Sequence, residues 1–127
     1  MNILIVDDSV LIVEKLTGIL REAISGVSII NAGTYAGATL LLNELVVDLA
    51  MLDINLPDKS GIELLRLVKK EYSKMKVVMV SNNASEQYRN ICLRLGANYF
   101  FDKSRDFESI PAIVISILQI KKPCFSI

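Results

Sequence analysis

The sequence predicts an α/β fold in which helices cover both faces of a doubly wound, five-stranded parallel sheet. Five short apolar runs alternate with longer segments whose apolar residues recur at helical spacing. The runs lack the polar alternation of a half-exposed strand, and unbroken apolar strands are typical of parallel sheets buried on both faces. With 127 residues, of which 52% are hydrophobic, the chain has the size and composition of one domain with one core.

The predicted elements follow one another in the order strand–helix, repeated five times. The apolar runs predict strands at residues 3–6, 27–30, 49–52, 77–80 and 99–101. The periodic segments predict helices at residues 10–24, 34–45, 60–71, 85–95 and about 107–121. Ser9 and Thr34 are the expected N-caps, Gly96 is the expected end of the fourth helix, and Pro111 fits only the first turn of the fifth. We therefore expect a domain over residues 1–122 and a short tail over 123–127.

Composition excludes several classes of protein. The chain has no histidine, so it cannot itself form a Ser-His or Cys-His nucleophile, a histidine zinc site or a phosphohistidine. Fourteen basic and fourteen acidic residues cancel, so we expect no direct binding to nucleic acid. The two cysteines, Cys92 and Cys124, are too few for a disulfide framework and suit a reducing cytosol. We see no leader segment and no apolar stretch near the ~20 residues of a membrane helix, so we expect a cytoplasmic location without membrane insertion.

Polar side chains follow four of the five predicted strands. Asp7 and Asp8 end the first run, Asp53 ends the third, Ser81 follows the fourth, and Lys103 lies just beyond the fifth. In open α/β sheets, ligands bind outside the carboxyl ends of the strands. Each residue alone could be an ordinary loop residue, and Asp53 could be the start of an Asx turn. Five such residues at one edge of the sheet favour a shared site.

The residue types at this edge indicate a site for a hard cation and a phosphoryl group. Magnesium prefers oxygen ligands and is usually held by one or two carboxylates, which the three aspartates can supply, with the backbone carbonyl of Asn55 as a further ligand. A carboxylate such as Asp53 can act as a nucleophile toward phosphorus. Lys103 offers a positive charge to a phosphate oxygen, and Ser81 offers a hydroxyl donor.

The motifs that surround these residues resemble the receiver domain of two-component response regulators over essentially the whole chain. The similar segments are the acidic pair after strand one (residues 3–8), the phosphoacceptor strand and loop (52–58, followed by Gly61), Ser81-Asn82 after strand four, and the lysine segment (96–103). This resemblance implies a flavodoxin-like fold with strand order 2-1-3-4-5.

The resemblance also implies the chemistry of the site. Asp53 would accept a phosphoryl group from a phosphohistidine of a sensor kinase or phosphotransfer protein. Asp8 would bind Mg²⁺ (or Mn²⁺) directly, and Asp7 mostly through water. Lys103 and Ser81 would hold the phosphate.

A switch is the third implication of the resemblance. Ser81 would move toward the phosphate and Phe100, the aromatic of strand five, would turn inward. The face of helix four, strand five and helix five would then change its affinity for a downstream protein or for a second copy of the chain. Such a change is a shift between two packings, biased by one new dianion.

Three positions depart from the pattern of many relatives. Ser104 replaces a proline after Lys103, and a cis peptide there would cost ~3 kcal/mol more than one before proline. Phe100 replaces a tyrosine, and Asn83 lies where some relatives carry a charged residue that tunes phosphate lifetime.

Two alternatives stay open at this point. A pseudo-receiver would bind partners without phosphorylation. A Mg²⁺-dependent phosphohydrolase would use Asp53 as nucleophile, although the position of its general acid/base is occupied by Asn55. In the leading interpretation the chain is not a conventional enzyme, but it catalyses its own phosphotransfer from phosphohistidine and a slow dephosphorylation.

Overall fold

The computed structural model describes residues 1–82 and 85–119, which form the predicted α/β fold. The five strands pair in parallel in the order β2-β1-β3-β4-β5, as the resemblance implies. The strands are β1 (Asn2–Val6), β2 (Ser28–Ala32), β3 (Leu49–Leu52), β4 (Lys76–Ser81) and β5 (Tyr99–Asp102). The helices are α1 (Val10–Ala23), α2 (Tyr35–Glu44), α3 (Gly61–Glu71), α4 (Glu86–Arg94) and α5 (Ile110–Leu118).

The sheet separates two hydrophobic layers. On one face, α2, α3 and α4 contribute buried residues such as Leu42, Leu65 and Cys92. On the other face, α1 and α5 contribute residues such as Leu16 and Val114. Because helices cover both faces, the central strands must be apolar on both sides, which explains the unbroken apolar runs of the sequence.

The expected burial on both faces is correct for the central strands and wrong for β2. All four residues of β3 are buried, and so are residues 3–6 of β1. In β2, Ser28 and Asn31 are exposed and only Ala32 is buried. β2 pairs with β1 alone and lies at one edge of the sheet. Its pairing also continues past the apolar run, through Asn31 and Ala32.

Local signals at the helix ends agree with the sequence. Ser9 and Thr34 are the N-caps of α1 and α2, and the Thr34 hydroxyl accepts the Gly37 N–H at 2.9 Å. Gly96 follows α4 with φ +109°, a conformation that residues with a Cβ rarely adopt.

The fifth helix begins later than predicted. A 3₁₀ turn over Phe107–Ser109 precedes α5, which starts at Ile110 with Pro111 in its first turn. Proline lacks an N–H, so the first turn is the part of a helix where its lost donor matters least. The predicted helix end at Lys121, the domain boundary at residue 122, the tail 123–127 with Cys124, and Asn83 lie outside the described residues. Among those described, no helix combines the length and apolar character that crossing a bilayer requires.

Candidate functional site

Strand register places the two buried aspartates side by side. Val6 of β1 lies opposite Leu52 of β3, so Asp7 and Asp53 are each the first residue past this pair. The Asp53 N–H donates to the Val6 carbonyl at 2.9 Å, and the Asp7 N–H donates to the Ala32 carbonyl at 3.0 Å. These backbone bonds hold both residues at the same edge of the sheet.

The next two strands bring a hydroxyl and an ammonium to that edge. Ser81, the last residue of β4, is fully buried and lies opposite Asp102 of β5. The Lys103 N–H donates to the Ser81 carbonyl at 3.1 Å, which fixes the backbone of Lys103 directly beyond the strand. The structure therefore places the predicted residues of β1, β3, β4 and β5 at one edge.

The Lys103 ammonium lies between the two buried carboxylates. Its Nζ is 2.5 Å from Asp7 Oδ2 and 3.3 Å from Asp53 Oδ2, and all three side chains are at most 6% exposed. The other oxygen of Asp7, Oδ1, accepts the Ser9 N–H at 2.9 Å. One buried cation thus balances two buried anions, which leaves the cluster one negative charge in excess before Asp8 is counted.

Asp53 is a carboxylate whose charged form is disfavoured. Burial is the largest cause that raises its pKa above the ordinary value of 3.8, and the charge of Asp7 acts in the same direction. Lys103 and the Asn55 N–H, which donates to the carboxylate, lower the pKa in part. The Asp53 anion is therefore a group that a further cation would stabilise.

The donor set at the edge fits a hard divalent cation. One carboxylate oxygen from each of Asp7, Asp8 and Asp53 lies within 4.8 Å of the others. Asp8 is exposed, so the cluster faces solvent on one side. All of these atoms are oxygens, which suits Mg²⁺ or Mn²⁺ and not a soft metal.

The loop after Asp53 closes tightly against the strand. Asn55 and Ser60 form an isolated antiparallel bridge, and the Gly61 N–H donates to the Ile54 carbonyl at 2.7 Å. A Cβ on Gly61 would lie 1.8 Å from the carbonyl oxygen of Asp53, which no real side chain can tolerate. Glycine is therefore required at residue 61 by the close approach of the Asp53 backbone.

Phe100 points into the protein. It is 1% exposed, packs in the layer under α2, α3 and α4, and the guanidinium carbon of Arg89 lies 5.3 Å from its ring centroid. Its neighbour Tyr99 is 37% exposed. The described residues contain no cis peptide bond, so the Lys103–Ser104 bond is trans.

Sequence reasoning missed Asp102, which organises the turn that carries Lys103. Its carboxylate accepts the Ser104 N–H at 2.8 Å, the Ser104 hydroxyl at 2.6 Å and Arg105 Nε at 3.3 Å. The Asp102 N–H donates to Asp106 at 2.9 Å. The hydrogen bonds from Ser104 are the main reason that the pKa of Asp102 is lowered. The Asp-x-Ser spacing is a local signal for such a turn and could have found it.

Comparison with known proteins agrees with the geometry. A family model described as the response regulator receiver domain matches residues 3–115. The chain belongs to this family. The receiver is 35% identical over 118 residues to the protein-glutamate methylesterase/protein-glutamine glutaminase of Treponema denticola. The match covers 91% of the receiver and 32% of that relative.

Solved structures give the same result. The receiver domain protein (CheY-like) of Methanospirillum hungatei JF-1 is 30% identical, with a TM-score of 0.84 over 93% of each chain. A chain of the CheX–CheY–BeF3–Mg²⁺ complex of Borrelia burgdorferi is also 30% identical, with a TM-score of 0.82 over 95% of this chain and 90% of that one.

Membership of the family establishes the general function. The chain is a receiver domain of the two-component type, a phosphorylation-dependent signalling switch. Receiver domains bind Mg²⁺ or Mn²⁺ at an acidic pocket, and they interact with histidine kinases and downstream effectors. The receiver spans between about a third and a half of the length of curated relatives that it matches.

Proposed function

We propose that Asp53 is the phosphoacceptor of this receiver. A carboxylate oxygen of Asp53 would attack the phosphorus of a phosphohistidine, so that an O–P bond forms, the N–P bond breaks and its electron pair stays on the imidazole. The observation that carries the proposal is the position of Asp53. It is a buried carboxylate of raised pKa at the solvent-facing edge of the sheet, 3.3 Å from the Lys103 ammonium, which also pairs with Asp7.

Lys103 and Ser81 would stabilise the phosphorylated form. Phosphorylation adds negative charge at Asp53, and the Lys103 ammonium is already within ion-pair distance of that carboxylate. Ser81 ends the adjacent strand and can offer its hydroxyl to a phosphate oxygen. Phosphoryl transfer depends mainly on positioning and charge stabilisation, which these two side chains supply.

The acidic cluster would hold the metal through Asp8, Asp53 and the backbone carbonyl of Asn55. Asp7 would contribute through water, because Lys103 and the Ser9 N–H already engage its two oxygens. When bound, Mg²⁺ neutralises the charge of the carboxylates and of the phosphoryl oxygens. Mn²⁺ has similar oxygen ligands and is expected to substitute.

Phosphorylation would alter the face formed by α4, β5 and α5. Ser81 and Phe100 are the proposed moving parts, and Phe100 packs beneath Arg89 of α4. A displacement of this ring therefore changes the surroundings of α4, which is how a local charge can shift the population of two packings.

The partners are proposed from the family and from the site. The phosphodonor is a histidine kinase or a histidine phosphotransfer protein, since the chain has no histidine of its own. The α4–β5–α5 face would bind a downstream protein or a second copy of the chain. A cytoplasmic location, without direct contact to nucleic acid, belongs to the same proposal.

The experiment that tests the proposal is phosphoryl labelling. The protein is incubated with acetyl phosphate and Mg²⁺, and its intact mass is recorded. We expect one added phosphoryl group, absent with a chelator and absent in Asp53→Asn. The matched control is Asp102→Asn, which changes another buried aspartate at the same edge and should still be labelled. Failure to label the native chain would favour a pseudo-receiver, and rapid turnover of varied phosphate esters would favour a hydrolase.

A further inference from the structure

The N-terminus of α2 is capped by a loop that follows it by more than twenty residues. Helix termini have unpaired N–H groups that a preceding cap residue usually satisfies. In α2, the Thr34 hydroxyl accepts the Gly37 N–H. The Tyr35 N–H donates to Asp58 Oδ1 at 2.8 Å, and the Ala36 N–H donates to Asp58 Oδ2 at 3.0 Å.

A second contact joins the same two segments. The Lys59 ammonium lies 4.8 Å from the centroid of the Tyr35 ring, within the range of a cation–π interaction. The Asp58 carboxylate also accepts the Lys59 N–H at 3.1 Å. The N–H groups of Ala36 and Tyr35 are the main reason that the pKa of Asp58 is lowered, so its carboxylate is ionised at neutral pH. Residues 58 and 59 thus bind the first turn of α2 through both backbone and side chain.

The loop that reaches α2 is the loop that carries Asn55. Its base is closed by the Gly61–Ile54 hydrogen bond and by the Asn55–Ser60 bridge. At the strand side, the Asn55 N–H donates to the Asp53 carboxylate. Only Leu56 and Pro57 separate Asn55 from Asp58, and the ring of proline restricts the backbone between them. The hydrogen bonds that hold Asp58 against α2 therefore also limit where the peptide groups of Asn55 can lie.

We propose that Asp58 is a positioning residue of the receiver site. By binding the Tyr35 and Ala36 N–H groups, it fixes the 54–61 loop against α2, and this holds Asn55 in place beside Asp53. The consequence is a preorganised site for the divalent cation. This inference rests on the proposed function, because it assigns Asn55 and Asp53 to the metal.

The test compares two variants that both weaken the cap of α2. Asp58→Ala removes two caps and the link to the loop, whereas Thr34→Ala removes one cap and leaves the link intact. Mg²⁺ affinity is measured by NMR titration of backbone amides, and labelling rates are measured at low and at saturating Mg²⁺. We expect Asp58→Ala to raise the Kd for Mg²⁺ about tenfold, the scale seen when an outer partner of a metal ligand is lost. Its labelling rate at saturating Mg²⁺ should stay within about twofold of the native rate, because Asp58 contacts no reacting group.

The controls separate positioning from folding. Thr34→Ala should leave the Kd for Mg²⁺ within about twofold, and Asp58→Asn, which keeps an acceptor oxygen, should give an intermediate Kd. Equal effects of Asp58→Ala and Thr34→Ala, or an unchanged Kd in Asp58→Ala, would overturn the inference. If Asp58→Ala does not fold, Asp58→Asn decides on the same criterion. A native chain that binds Mg²⁺ but is never labelled at Asp53 would refute the proposed function while the comparison of Kd values still decides the role of Asp58.

Discussion

Asp53 and Asp102 are two aspartates at the same edge of the sheet with opposite electrostatics. Asp53 follows β3 and is 5% exposed, and Asp102 ends β5 and is 7% exposed. The pKa of Asp53 is raised, mainly by burial, whereas the pKa of Asp102 is lowered, mainly by hydrogen bonds from Ser104. Residue type, strand position and exposed fraction are nearly equal, so the opposite pKa shifts come from the surroundings of each carboxylate.

Besides the stronger effect of burial on Asp53, the two carboxylates differ in the donors that each receives. Asp102 accepts the Ser104 N–H, the Ser104 hydroxyl and Arg105 Nε, all from the turn that follows it. Asp53 shares its lysine with Asp7 and lies beside the exposed Asp8. A carboxylate whose hydrogen-bond donors all come from the turn that follows it has a structural role. A carboxylate that competes for a cation is suited to bind a metal and accept a phosphoryl group.

The largest expected effect comes from comparing the loss of the basic side chain that pairs with Asp53 with the loss of the one that pairs with Asp102. Lys103→Met should lower the rate of labelling by acetyl phosphate about 100-fold, because a buried charge beside the reacting group is lost. Arg105→Met should leave the rate within about twofold, since the Arg105 side chain is 78% exposed and exposed pairs contribute little. Rates are followed by intact mass at fixed acetyl phosphate and saturating Mg²⁺.

Folding of both variants is checked by NMR amide dispersion before the rates are compared. Equal labelling rates in Lys103→Met and Arg105→Met would mean that the Lys103 ammonium does not act on the phosphoryl group. Asp53 and Asp102 would then differ in pKa, but the basic side chain beside each would have no different effect on phosphoryl transfer.

The second expected effect concerns the backbone of Asp53. Gly61→Ala should lower the free energy of unfolding by about 2 kcal/mol, because its Cβ would collide with the Asp53 carbonyl and force the loop to move. Gly18→Ala is the matched control, since a Cβ there meets nothing within 4 Å and alanine is the better helix former. Urea denaturation measures both. A Gly61→Ala protein as stable as Gly18→Ala would show that the Asp53 loop is not tightly constrained.

Much of this comparison could be predicted from the sequence. Apolar runs that end in Asp7, Asp53 or Ser81 are local signals, and parallel pairing brings such ends to one edge of a sheet. The α/β class and the candidate members of the site follow from these signals, and the strand order follows from the resemblance to receiver domains. The different electrostatics of the aspartates do not follow from them, because they depend on how Lys103 is shared between Asp7 and Asp53. Only the register and burial of the strands determine that sharing.

Long-range contacts are the part that sequence reasoning could not reach. The binding of Tyr35 and Ala36 by Asp58 joins positions 22 and 23 residues apart, and no local motif marks the pair. The apolar run Ile29-Ile30 does not by itself reveal whether a strand has one neighbour or two, and the edge position of β2 follows only from the strand order that the resemblance implies.

The smallest expected effect is a difference in the sign of pH dependence. The folded-state pKa of Asp53 lies above the unfolded-state value of 3.8, so between these two pH values the folded protein binds a proton that the unfolded chain has lost. Stability is therefore lost as the pH rises from 3.8 through the folded-state pKa. The folded-state pKa of Asp102 lies below 3.8, so its contribution is present above 3.8 and is lost as the pH falls through the folded-state value. In metal-free buffer at pH 7, Asp53→Asn should therefore be more stable than the native chain. Asp102→Asn should be less stable.

The Asp53→Asn difference should shrink as the pH falls toward 3.8, and the Asp102→Asn difference should shrink as the pH falls below 3.8, because each native carboxylate then becomes neutral like the asparagine that replaces it. Urea denaturation of the three proteins with a chelator, from pH 3 to pH 7, measures the free energies of unfolding. Equal signs at pH 7 would contradict the assignment of one aspartate to a strained site and the other to a satisfied turn. Repeating the series with Mg²⁺ sharpens the result, since the metal stabilises only the protein that binds it. The advantage of Asp53→Asn should then disappear, because the charge that destabilises the metal-free fold is the charge that holds the cation.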